Sequence, residues 1–168
     1  SGNDWSELVA AAYVVDQDFS CLLITEIMYH STALNGTPRN EEFIEFKNLG
    51  DTPLDLSGMR IVDFSEGMED LYEIHTFPEG QIAPPGGFVV LVANPGSFRS
   101  LYPGVAYHGV IPPGKIKESP FNNQWGRIAL VGADGSVATQ MRYQSHAPWP
   151  VVPDNHGYFR HQPSPVGF

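Results

Sequence analysis

Apolar and polar positions alternate along most of this chain in short runs broken by turn residues, the two-residue period of β-strands. In LLITEIMY, residues 22–29, strict alternation puts Leu22, Ile24, Glu26 and Met28 on one face and Leu23, Thr25, Ile27 and Tyr29 on the other. Both faces are mostly apolar, which predicts a central strand. EFIEFKN, 42–48, sets Ile44 and Phe46 against Phe43 and Glu45. MRIVDF and LYEIHTF follow around the acidic loop SEGMED, and FVVLVAN, 88–94, is the strongest strand signal. RIALV, GADGS and VATQMRY read as a hairpin, because Asp-Gly supplies the positive φ of a tight turn. One helical turn is expected at NPGSFRSLYPG, with Asn94 as N-cap and Pro95 in the first helical position. Residues 107–124 read as irregular, and the tail offers one short strand near 157–161. The sum is about seven to nine short strands, and an all-β sandwich is the natural architecture.

The totals fit one globular domain: 168 residues, 42% hydrophobic and 17% charged. Seventeen Gly and fifteen Pro, spread along the chain, favour many turns over long helices. The net charge of −10, with nine Lys and Arg in all, works against phosphate backbones and anionic membrane surfaces, so nucleic acid is not an expected partner. No apolar run approaches the roughly 20 residues of a membrane span. A single cysteine, Cys21, excludes an internal disulfide and reads as a small buried hydrophobe. The start, Ser1-Gly2 without Met, reads as a cloning scar on a piece of a longer protein.

Six phrases in order carry a family resemblance: ITEIMYH, EEFIEFKN, LDLSGMRI, TFPEGQIAPPGGFVVLVAN, GRIALVGADG, and APWP followed by GY. Together they resemble the lamin-tail domain in its bacterial form, over about residues 22–160. The resemblance implies an immunoglobulin-like β-sandwich, in agreement with the strand pattern. Met59 stands where family members often carry Trp, and Ser31 where many carry Pro. DWSELVAAAYVV is similar to the closing strand of a fibronectin-type or related module that often precedes this domain in large secreted bacterial proteins. Residues 1–20 are therefore read as scar plus linker or a neighbour's closing strand, and 21–168 as the domain. The competing reading, that 8–15 pairs with an edge of the same sandwich, stays open.

Candidate chemistry is sparse. Glu26, Glu42 and Glu45 interrupt apolar strands. A general acid/base pair needs a nucleophile, metal or pocket, and none accompanies them. The structural expectation is that their carboxylates accept backbone hydrogen bonds or pair with Arg60 or Arg127. Asp63, Glu66, Glu69 and Asp70 form a weak calcium candidate, without EF-hand spacing. His30, His75, His108, His146, His156 and His161 show no metal-ligand spacing. No nucleophile elbow, Walker loop or dinucleotide loop is present. Trp125, Trp149, Tyr107 and Tyr143 are the ligand candidates, since exposed aromatics stack on sugars or on partner surfaces. The expectation is a non-catalytic module without cofactor: a recognition, adhesion or spacer domain of a larger exported bacterial protein, meeting protein or glycan at the cell surface. The alternatives are an accessory domain positioning substrate for an enzyme on the same chain and, against the charge, a nucleic-acid binder.

Overall fold

The computed structural model describes residues 17–30, 40–64, 72–113, 120–145 and 159–161. The 8–15 run, His146, Trp149, His156 and the acids Glu66, Glu69 and Asp70 lie outside the described residues.

Two sheets face each other. The first is built from β1 (Leu22–Met28), β2 (Phe43–Asn48), β7 (Phe88–Val92), β8 (Gly109–Val110) and β11 (Phe159–His161), in the order β11-β1-β2-β7-β8. The second holds β4 (Arg60–Asp63), β5 (Tyr72–Thr76), β9 (Trp125–Val131) and β10 (Val137–Gln144), in the order β10-β9-β4-β5. A small ribbon pairs β3 (Leu54–Asp55) with β6 (Ile82–Ala83). Every pairing is antiparallel except that of β7 with β8. Three of these strands have only two residues; the others fall within the expected count. The inner faces bury one continuous core that includes Ile24, Ile44, Phe46, Ile61, Leu91, Ile128, Leu130 and Met141. Met59, in the place of a frequent Trp, is one of its members.

Strict alternation fails in β1. The register with β2 shifts between Ile24 and Glu26. One extra residue there turns the following side chains over, as a β-bulge does. The core therefore takes Leu22, Ile24, Ile27 and Tyr29, while Met28 joins a cluster on the opposite face. Glu26 is thus not aligned with Leu22 and Ile24, as a regular strand would have it.

Turns are fixed by short polar side chains. In the LDLSG phrase, Asp55 Oδ1 accepts from the Ser57 N–H at 2.9 Å and from the Ser57 hydroxyl, and that hydroxyl accepts from the Gly80 N–H at 2.8 Å. Asn48, fully buried, donates to the carbonyls of Thr52 and Ala83 and accepts from the Gly50 N–H, so a buried amide ties the exit of β2 to the ribbon. Gln17, in the stretch read as linker, hydrogen-bonds the N–H and carbonyl of Asp55 through its side chain, and Phe19 packs on the core. The one α-helix among the described residues, α1 (Pro95–Leu101), starts as expected, with Asn94 Oδ1 accepting from the N–H groups of Gly96 and Ser97. The β9–β10 turn has Gly135 at φ 84°, where other residues are strained.

Candidate functional site

The outer face of the five-stranded sheet is partly closed. Helix α1 and the segment after it lay Phe98, Tyr102 and Tyr107 over Met28, Phe43, Val90 and Val92. Phe98 meets Phe43 edge-on at 5.5 Å and Tyr102 at 5.0 Å. Tyr107 is half-buried in this cluster. Its hydroxyl accepts from Arg99 Nη2 at 2.6 Å, and the guanidinium lies 5.1 Å from its ring centre. Tyr107 therefore clasps the helix, with one face of its ring already occupied.

Next to the cluster is a carboxylate band. The bulge brings Glu26 opposite Glu45. Glu45 Oε1 accepts from the Thr25 hydroxyl at 2.7 Å. Arg60 and Arg127, the arginines expected as partners of these acids, belong to the other sheet. Arg60 lies 3.8 Å from Glu73, and Arg127 is held by Gln140. Burial pushes the Tyr102 hydroxyl up to about 12, with Glu26 and Glu41 adding to the effect.

The four-stranded sheet is different. In the β9–β10 ladder Trp125 faces Gln144, Gly126 faces Tyr143, Arg127 faces Arg142 and Ala129 faces Gln140. Alternation then divides these residues between the two faces. Tyr143, expected as a surface contact, points inward: it is 2% exposed, its ring lies 4.4 Å from that of Tyr29, and burial drives its hydroxyl pKa strongly upward. It sits directly over Gly126, where a Cβ would come within 2.4 Å of the ring. This removes Tyr143 from any surface site. Trp125, 43% exposed, points outward on the face that also carries Arg127, Arg142 and, further along, Gln140.

The guanidinium of Arg127 is positioned from two sides. Nε and Nη2 donate to Gln140 Oε1 at 3.1 and 2.7 Å, and the group lies 5.2 Å from the centre of the Phe64 ring. Arg142 is exposed and makes no hydrogen bond or ion pair with the described residues. Residues directly opposite on antiparallel strands have Cβ atoms about 5 Å apart, so two like charges are set side by side. Sequence reasoning picked out Trp125 and missed this pair, which only the register brings together. Trp125 and Tyr107 lie on different sheets and form no common aromatic strip.

The weaker candidates separate. Of the calcium acids only Asp63 is described, half-buried in β4, and among the described residues no three His, Cys, Asp or Glu side chains are placed to hold a metal. His108 Nδ1 accepts from the Val90 N–H at 3.0 Å along the edge of β7. His75 is half-buried edge-on to Phe77, and burial lowers its pKa against the opposing pull of Glu73. Burial lowers that of His30 as well. Cys21 is a free, half-buried thiol 3.5 Å from Asn48 Oδ1. No helix among the described residues is long and apolar enough to cross a membrane.

A two-sheet antiparallel sandwich with a motif-bearing inner core, and with its polar side chains spent mainly on turns, defines a module of the immunoglobulin-like class. The Lamin Tail Domain family model matches residues 17–145, and the chain belongs to that family, whose domains are immunoglobulin-like and non-enzymatic. No match was found among curated proteins.

Proposed function

We propose that this chain is a non-catalytic recognition module of a larger exported bacterial protein, and that it meets a protein or glycan partner at the cell surface through the outer face of the four-stranded sheet. One observation carries the reading: Trp125 stands exposed beside two arginines on the outward side of β9 and β10. A large aromatic left in water next to charged donors offers both contact area and orientation, the mix found at binding hot spots. A pure spacer has no use for either.

The test is cosedimentation of the 168-residue chain with isolated bacterial cell envelopes, alongside its Trp125→Ala variant. The expected result is that the chain pellets with envelopes and the variant stays largely in solution. A chain that remains in the supernatant with envelopes from both Gram-positive and Gram-negative cells would return the domain to a spacer role.

A further inference from the structure

We infer that His75 is an acid-operated latch between the edge strands β5 and β8: protonation of its buried ring releases β8. The two sides of the sandwich are closed differently. On one side β1 and β10 lie against each other, with Tyr29 stacked on Tyr143 at 4.4 Å. On the other side β5 ends one sheet and β8 ends the other. β8 has two residues and is held by its pairing with β7. His75 stands opposite Ile61, and Ile61 opposite Leu130, both members of the inner core. Residues opposite each other share a face, so His75 ends an inward row, where a hydrophobe would be expected. Its ring meets Phe77 edge-on at 5.2 Å. A Cβ added at Gly109 of β8 would lie 3.6 Å from the ring's Cε1 and 3.7 Å from its Nε2, so the imidazole rests on the β8 backbone. The same Cβ would strike Leu91 Cδ2 at 2.7 Å, so this close approach needs glycine. Nε2 is buried and has no hydrogen-bond partner.

A neutral imidazole loses one hydrogen bond there. A protonated one brings a charge and a new donor to an atom with no acceptor, at a far greater cost. Phe77 offers at most a cation–π contact, which returns only part of the lost hydration. The surrounding charges do not offset this. On β5, Glu73 stands opposite the outward Val62, and its carboxylate is 3.8 Å from Arg60 and accepts from the Thr76 hydroxyl at 2.5 Å. On β4, Arg60 stands opposite Thr76, and Asp63 opposite Tyr72 at the far end of the pairing. β7 and β8 carry no charged residue, and His108, just before β8, spends its Nδ1 on the Val90 N–H. Burial accordingly outweighs Glu73 and lowers the His75 pKa from its ordinary 6.5. The closed seam is thus complete above pH 6.5 and is lost as pH falls through the folded value. The charged ring reaches water through the β5–β8 seam, since its other sides are core, and the two-residue β8 is the part that can yield. Leu91 and the edge of β7 are then uncovered.

Native-state hydrogen exchange followed by NMR from about pH 8 to about pH 5 tests this, together with titration of the His75 ring signals. Protection factors are compared, because they remove the pH dependence of the exchange chemistry itself. The amides of His108 and Ile111 bond the carbonyls of Val90 and Val92 and report on β8; that of Leu49, bonded to Cys21, is the reference. Protection at His108 and Ile111 should fall by up to about tenfold per pH unit, the limit for one proton, once the pH drops below 6.5. Leu49 should not change, and His75→Phe should hold β8 protection constant. A His75 ring that titrates at or above 6.5 overturns the latch, as does β8 protection that stays constant while the ring titrates. An equal fall at Leu49 would mean global loosening with no latch. A fall that persists in His75→Phe would assign the effect to another group and overturn the inference as well. Should His75→Phe fail to fold, the ring titration and the protection of the unaltered chain decide by themselves.

Discussion

The two sheets of this sandwich cover their outer faces to different extents. The five-stranded sheet places Met28, Phe43, Val90 and Val92 outward and covers them with Phe98, Tyr102 and Tyr107, so it has acquired a second, smaller core. The four-stranded sheet places Val62, Ala129 and Val131 outward with Phe64 against them, and surrounds that strip with Arg127, Gln140 and Arg142. One face is invested in packing. The other buries a smaller strip, with Val62 1%, Ala129 0% and Val131 4% exposed, and keeps Trp125 and Arg142 in water beside it. A family defined by its inner core can vary in function by changing only what the outer faces carry.

The comparison is broken most readily at Phe98. It is 3% exposed and joins Phe43, Tyr102 and Tyr107. If the α1 face is a true core, Phe98→Ala should lower stability by about 3–5 kcal/mol in urea unfolding. A loss below about 1 kcal/mol, as for a surface site, would make the helix an ornament and the two faces alike. Next comes Gly126→Ala, beneath the open face. Its new Cβ would press within 2.4 Å of Tyr143, itself stacked against Tyr29, so an overpacking loss of about 1–3 kcal/mol is expected. Full stability in that variant would show the ring beneath Trp125 to be loosely held, and the binding face with it.

Much of this was legible because each signal was local. Asn94-Pro95 announced α1, Asp134-Gly135 announced the hairpin, and Ile44 and Phe46 were assigned to one face correctly. What escaped depended on single inserted residues. In β1 the adjacent polar pair Thr25-Glu26 breaks an apolar strand, and the bulge there reverses every face assignment after it. In β10 a shift between Val137 and Thr139 does the same: simple counting back from the turn pairs Arg127 with Met141, whereas the bulge pairs it with Arg142. The arginine pair was therefore hidden by one residue of register. Tyr143 was misjudged because its neighbours are polar; alternation with Met141 would have placed it inside.

A smaller effect separates the faces by titration. The Tyr102 hydroxyl is raised to about 12, chiefly by burial under α1, with Glu26 and Glu41 adding to it. A group with a raised folded pKa contributes stability that is present below its unfolded value near 10 and is lost as pH climbs through the folded value. The α1 face should therefore loosen between about pH 10 and 12. Tyr102→Phe should remove that part of the alkaline melt, and the phenolate absorbance of the native protein should rise correspondingly late. An unchanged alkaline melting curve in the variant would locate the alkaline sensitivity at Tyr143 in the core instead.

The smallest effect is the one that tests the meaning of the open face. Arg142 is exposed and bound to nothing described, so Arg142→Gln should change melting by no more than about 0.5 kcal/mol. The sign matters more than the size. Removing one of two opposed like charges should stabilise the unliganded sheet slightly, and the gain should fade as salt screens the repulsion. Stability gained together with envelope affinity lost would show that the pair is kept at a cost to the fold. If Arg142→Gln instead lowers stability at low salt, the guanidinium has a structural partner, and the contrast between a packed face and a receptive one loses its main support.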